Sequence, residues 1–125
     1  MNRRCSDILL LEQGIVRSAA REGVEMELTG LLENISAVKR LANGQRVGLL
    51  LVFPQLANVS MEAHRHNDPG YEAIKLAEAI VIRTLGHRLL ADVYALVRGK
   101  AHPIKVLGDE EKALVWLSKQ MALVG

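Results

Sequence analysis

The stretch Val47-Gly48-Leu49-Leu50-Leu51-Val52-Phe53, closed by Pro54, decides the fold. It contains no charged or polar side chain, so it offers no face to water. Strands covered on both sides read this way, as in the centre of an α/β sheet. Pro54 ends the strand because proline has no amide to donate to a ladder. Ala79-Ile80-Val81-Ile82-Arg83 repeats the pattern and predicts a second buried strand. Upstream, Ile8 to Glu12 and Ile15 to Ala20 read as two strands joined by the turn signal Gln13-Gly14, a hairpin. Thr29 is the expected cap of a helix whose Leu31, Leu32, Ile35, Val38, Leu41 and Ala42 recur at helical spacing. Asn43-Gly44 stops it.

Downstream of Pro54, a loop over 55–59 leads to Ser60, the expected N-cap of a short helix from Met61 to His66. Asn67-Asp68-Pro69-Gly70 interrupts, and a second helical piece is expected from about Tyr71 to Leu76. Leu85, Leu89, Val93 and Leu96 outline a third major helix, stopped at Arg98-Gly99. Pro103 to Leu107 reads as a strand. Asp109 caps the last helix, and Glu110 and Glu111 sit where the helix dipole favours negative charge. Ala113, Leu114, Leu117 and Met121 form its core stripe, with Trp116 beside it at the helix–sheet seam. The order is ββαβαβαβα. Strand–helix–strand units in one sheet mean parallel pairing with right-handed crossovers. The expected architecture is α/β, a mixed sheet of about five strands with four to five helices packed on it.

At 125 residues and 13.8 kDa the chain fits one domain over residues 1–125, with Met1 to about Asp7 as a flexible terminus. Half the residues are apolar but only 3% are aromatic, so the core is aliphatic. Sixteen Lys and Arg against fourteen Asp and Glu leave a net charge of +2, spread without long runs. That is no footprint for DNA or RNA. The four aromatics are not interleaved with basic residues and offer no base-stacking platform. Cys5 is the only cysteine, which fits a reducing compartment, and no base stands beside it to activate it. Ile8 to Leu11 is too short for a signal peptide, and no stretch suits a membrane span. The expectation is a cytoplasmic protein that binds neither nucleic acid nor membrane.

Several segments together resemble the STAS domain, the fold of the bacterial anti-sigma factor antagonists, and more closely small bacterial STAS-like proteins. They are Gly48 to Phe53, Val59-Ser60-Met61-Glu62-Ala63-His64-Arg65, and the run from Ala79 to Ala91. The most specific is Pro103-Ile104-Lys105-Val106-Leu107 followed by Asp109 to Leu117, a strand, an acidic cap and then Ala-Leu-Val-Trp-Leu. The resemblance covers about Ile8 to Leu117. It implies a module that docks on other proteins. In the antagonists a Ser or Thr at the start of the helix after the central strand is phosphorylated by a partner kinase, and the added charge breaks the complex. The family's motif there is Asp-Ser-Ser/Thr-Gly or close to it. Here Ser60 falls near its Asp, and Met61 and Glu62 stand where the hydroxyls belong. Ser60 therefore has two readings, helix cap and phosphoacceptor or docking residue.

Two other constellations carry chemistry. Glu62 with His66 and His64 with Asp68 are each four apart, the spacing of one helix face. His64 and His66 are two apart, so one helix cannot aim both at a metal, and a solvated face is the expectation. Thr84, His87 and Arg88 lie at the carboxyl end of the strand Ala79 to Arg83 and at the start of the next helix. Open α/β sheets bind ligands there, and Arg88 suits a phosphate or carboxylate, with Ser60 approaching from the neighbouring strand. His102 has no sequence partner and receives no role. No phosphate-binding glycine loop and no nucleophile elbow is present.

The leading expectation is a non-enzymatic regulatory or protein-interaction module without the usual phosphoacceptor motif. It has a protein partner, a homodimer is compatible with the exposed Leu and Val of its hairpin, and it has no catalytic residue, cofactor or metal. The alternative is a domain for a small molecule or lipid, with an anion site near Ser60, Thr84, His87 and Arg88.

Overall fold

The computed structural model describes residues 6–54, 58–84 and 102–124. The hairpin forms as expected. Strand β1 (Ser6–Leu11) turns through a 3-10 segment (Glu12–Gly14) into β2 (Ile15–Ala20). Gln13 and Gly14 both take positive φ, 64° and 72°, which lets the chain reverse so tightly. Glu12 belongs to that turn and not to the strand. Of the terminus expected to be flexible, Ser6 and Asp7 belong to β1 and the residues before them lie outside the described ones: Ser6 is buried and its hydroxyl accepts from Asn34 at 3.0 Å. Asp7 pairs with Arg21 at 2.9 Å.

A two-residue strand, β3 (Glu25–Met26), precedes helix α1 (Leu28–Ala42). The N-cap is Glu27, with no side-chain cap bond, and Thr29 lies inside the first turn. The expected Thr29 cap is therefore displaced, because the buried Met26 pins the chain two residues earlier. At the other end Asn43 (φ 50°) and Gly44 (φ 79°) close the helix in left-handed conformations, as their types predict.

Strand β4 (Val47–Phe53) is the centre of the sheet. Short β5 (Asn58–Val59) leads to α2 (Met61–Arg65) and α3 (Pro69–Ala73). Asp68 caps α3, which starts with Pro69 at its first turn and ends earlier than the sequence suggests. Strand β6 (Lys75–Ile82) thus begins at Lys75, where the sequence reads as helix. Then come β7 (Ile104–Leu107) and α4 (Glu110–Val124). Asp109 caps α4, its Oδ1 accepting from the Glu111 amide at 2.8 Å. The expected helix around Leu85 to Leu96 lies outside the described residues.

The main sheet has five strands in the order β1-β2-β4-β6-β7. β1 and β2 are antiparallel and the other three pairs are parallel. β3 and β5 form a separate parallel pair. The mixed α/β sheet read from the sequence is therefore the observed one. On one face Ile15, Leu50, Ala77, Ala79 and Val81 pack under Ala113 and Leu117 of α4, with Trp116 partly buried beside them. On the other, Val16, Val47 and Leu49 pack under Val38 and Ala42 of α1. Arg17 of β2 pairs with Glu110 in the first turn of α4.

Gly48 sets how closely α4 approaches. A Cβ at this position would lie 2.9 Å from Met121 Sδ and 3.5 Å from side-chain atoms of Ile15 and Leu117. Gly48→Val should cost about 1–3 kcal/mol, the range for overpacking a filled core, read as a lower urea midpoint. An unchanged midpoint would show that α4 has slack above β4.

Candidate functional site

The sequence-predicted site lies at the carboxyl ends of β4 and β6. Ser60 is held from both sides: its amide donates to the Met26 carbonyl at 2.9 Å, and its Oγ accepts from the Ala63 amide at 3.1 Å. This is an N-cap, because the hydroxyl satisfies an amide that the short α2 leaves without an intrahelical partner. The next side chain, Met61, is 63% exposed. Thr84, just past β6, is partly exposed as a residue, yet its Oγ1 is buried with no hydrogen-bond partner among the described residues. His87 and Arg88 lie outside the described residues.

The helix that the histidine–carboxylate spacing of this region relies on is too short to carry it. Helix α2 ends at Arg65, and His66 is its C-cap. Asp68 is thus off that helix, and the i, i+4 spacing has no shared face to act on. Asp68 turns instead to the Tyr71 amide at 3.0 Å and to Lys39 of α1 at 3.2 Å. The Tyr71 hydrogen bond chiefly, with Lys39 adding, holds its carboxyl below the ordinary 3.8. Among the described residues no three His, Cys, Asp or Glu side chains are gathered to hold a metal ion.

The richest polar cluster is one the sequence reading passed over. At the amino end of β6, Lys75, Glu78 and His102 are all buried. Lys75 Nζ donates to Glu72 Oε1 at 3.0 Å and to Glu78 Oε1 at 3.3 Å. His102 Nε2 lies 3.1 Å from Glu78 Oε1. A carboxylate only accepts, so Nε2 carries the proton of that bond. The ammonium also sits 4.3 Å from the centre of the Tyr71 ring, a cation–π contact.

A bulge makes the cluster possible. Side chains three apart on a regular strand point to opposite faces. Lys75 pairs with Val47 but Ala77 pairs with Gly48, so Leu76 is the extra residue. The shift returns Lys75 and Glu78 to one side. Glu78 then sits opposite Leu49 of β4 and Ile104 of β7, and its amide donates to the Pro103 carbonyl at 2.9 Å. That bond brings His102 within reach. The legible signal is Leu76-Ala77-Glu78-Ala79-Ile80-Val81-Ile82, one charge inside an apolar strand.

Burial is the largest influence on Glu78 and pushes its carboxyl up. The His102 hydrogen bond and the Lys75 charge outweigh it, so the pKa falls below the ordinary 4.5 and Glu78 is ionised at neutral pH. Burial and the Glu78 and Glu72 carboxylates push the Tyr71 hydroxyl far above 10.0. His102 Nδ1 is buried with no hydrogen-bond partner among the described residues.

Removing one member of a buried ion pair leaves an uncompensated charge. Glu78→Ala should therefore cost about 3–5 kcal/mol in denaturant unfolding. Replacing the exposed Glu33 with Ala should stay within about 0.5 kcal/mol. A Glu78 variant as stable as wild type would mean that Lys75 is fully satisfied without it. The lowered pKa also sets a sign. The stability Glu78 contributes is present above the unfolded value near 4.5 and is lost as pH falls through the lower folded value. Wild type and Glu78→Gln should converge in stability on acidification through that window, followed by urea midpoint against pH.

A comparison with curated proteins finds no match. Among solved structures the chain is similar to an uncharacterised protein of the DUF3478 family from Shewanella loihica PV-4, which has a SpoIIAA-like fold. The TM-score is 0.61 and the identity 12%, over 90% of this chain and 91% of that one. At this identity the likeness shows the fold, which is the STAS-like one that the sequence segments resemble. The profile of a domain of unknown function, DUF7793, matches residues 9–121, nearly the whole length. The chain belongs to the DUF7793 family and folds as a SpoIIAA-like mixed α/β domain.

Proposed function

We propose that this chain is a non-enzymatic regulatory or protein-interaction module whose docking surface is the α2 end of the sheet, without a phosphoswitch at Ser60. The observation that carries the reading is the pairing of roles at 60 and 61. The Ser60 hydroxyl is committed to capping α2, while the adjacent Met61 is left 63% exposed. In the antagonists that this fold resembles, hydroxyls occupy this place and phosphate controls docking. A methionine there substitutes a deformable apolar contact, which adapts to partner surfaces, for a charge switch.

A second reading keeps a small-molecule or lipid site with an anion near Ser60, Thr84, His87 and Arg88. The Oγ1 of Thr84, buried at the carboxyl end of β6 with no hydrogen-bond partner among the described residues, favours it, because that end of an α/β sheet is where ligands collect.

Native mass spectrometry on the protein purified gently from its own cells separates the two. The docking reading predicts a complex with another protein that Met61→Asp abolishes and Ser60→Ala retains. Ser60→Ala should lower stability by about 0.5–2 kcal/mol through loss of the cap. Complex formation that persists in Met61→Asp would move the docking surface elsewhere. A retained small molecule, lost in Arg88→Ala, would install the ligand reading instead.

A further inference from the structure

We infer that two copies of this chain pair through the outer edge of β1, joining their sheets across a two-fold axis. The inference goes beyond the α2 docking surface and does not depend on it.

An edge strand presents a row of unpaired backbone donors and acceptors, and proteins guard such edges with lysine, proline, bulges or shortness. β1 has none of these, and its one charged side chain, Asp7, is held by Arg21. Its six residues, Ser6-Asp7-Ile8-Leu9-Leu10-Leu11, contain no Lys, Pro or Gly and pair with β2 in unbroken register. Among the described residues nothing pairs with its outer side. The opposite edge differs: β7 has four residues, follows Pro103 and exposes Lys105 at its middle.

The side chains along β1 point to what covers it. Leu9 is 54% and Leu10 52% exposed. Ile8 packs on the α1 side and Leu11 on the α4 side, so alternation puts Leu10 on the α1 side and Leu9 on the α4 side. A strand added to this edge would therefore meet apolar side chains on both faces. A second β1 in antiparallel register, Leu9 against Leu9, is such a strand. It sets Leu10 against Ile8 on one face and Leu9 against itself on the other. Asp7 falls opposite Leu11, and its charge is already paired with Arg21, so no like charges meet across the seam. A net charge of +2 adds little repulsion between copies.

This register also keeps like faces together, because residues of the same parity oppose each other. Helix α1 packs over β1, with Asn34 bonded to Ser6, and it leaves Leu32 exposed. The two-fold brings α1 and its copy to the same face, flanking the seam. Strand pairing alone falls short of the roughly 1,200–2,000 Å² of a stable interface, and the helices supply further area.

The test uses the full chain at micromolar concentration. Sedimentation velocity should give twice 13.8 kDa for wild type. It should give a single chain mass for Leu9→Lys, in which two ammonium groups oppose each other at the axis. A cross-link keeps the test independent of how Leu9→Lys folds. With Cys5→Ser removing the native thiol, Leu9→Cys should oxidise to a covalent dimer, and Lys105→Cys on the other edge should not. A monomeric wild type would overturn the inference. So would a dimer that survives Leu9→Lys, or one that cross-links through Lys105→Cys and not Leu9→Cys.

Discussion

The ionised carboxylate of Glu78 sits in the amino half of β6, between β4 and β7, with no access to water. An isolated charge there is prohibitively unfavourable, so everything around it must supply compensation. The bulge at Leu76 turns Lys75 to its side. The Pro103 carbonyl takes the Glu78 amide and draws in His102, just ahead of β7. Glu72, at the end of α3, holds the other side of the ammonium. One buried charge therefore fixes where α3 ends, where β6 begins and how β7 enters the sheet.

The two ends of the sheet divide the work. The amino end carries the buried charges, and its polar groups are mostly spent on one another. The carboxyl end carries Ser60, Met61 and Thr84, where one hydroxyl caps a helix, one apolar side chain is open and one hydroxyl is buried without a partner among the described residues. Structural duty and accessible chemistry are thus separated by the length of the strands. The docking proposal places function where the side chains are not already committed to each other.

Much of the fold was legible because its signals are local. The apolar run at Val47 to Phe53, the Gln13-Gly14 turn, the Asn43-Gly44 stop and the Ser60 and Asp109 caps each depend on a few adjacent residues, and each formed. The errors came where distant contacts decide. Tyr71 to Leu76 has helical composition, yet Lys75 is drawn into the sheet by a carboxylate on β6 and a ladder with Val47. Thr29 is a good cap by type, but β3 starts α1 earlier. His102 has no neighbour in sequence to suggest a role, because its partner is 24 residues away. The candidate site was legible only in part: Ser60 showed as a cap, while the Lys75–Glu78–His102 cluster needed the bulge, which no periodicity rule anticipates.

The small β3–β5 pair has a mechanical meaning. Two ladder positions, Glu25 with Asn58 and Met26 with Val59, and the bond from the Ser60 amide to Met26 join the entry of α1 to the entry of α2. Met26 is buried, so this staple is seated in the body of the domain. Asp68 and Lys39 tie the chain beyond α2 to the far half of α1. The segment that carries Met61 is therefore tied to α1 at two points along its length. Because α1 also lies over the hairpin, one helix braces both the α2 segment and the edge strand β1.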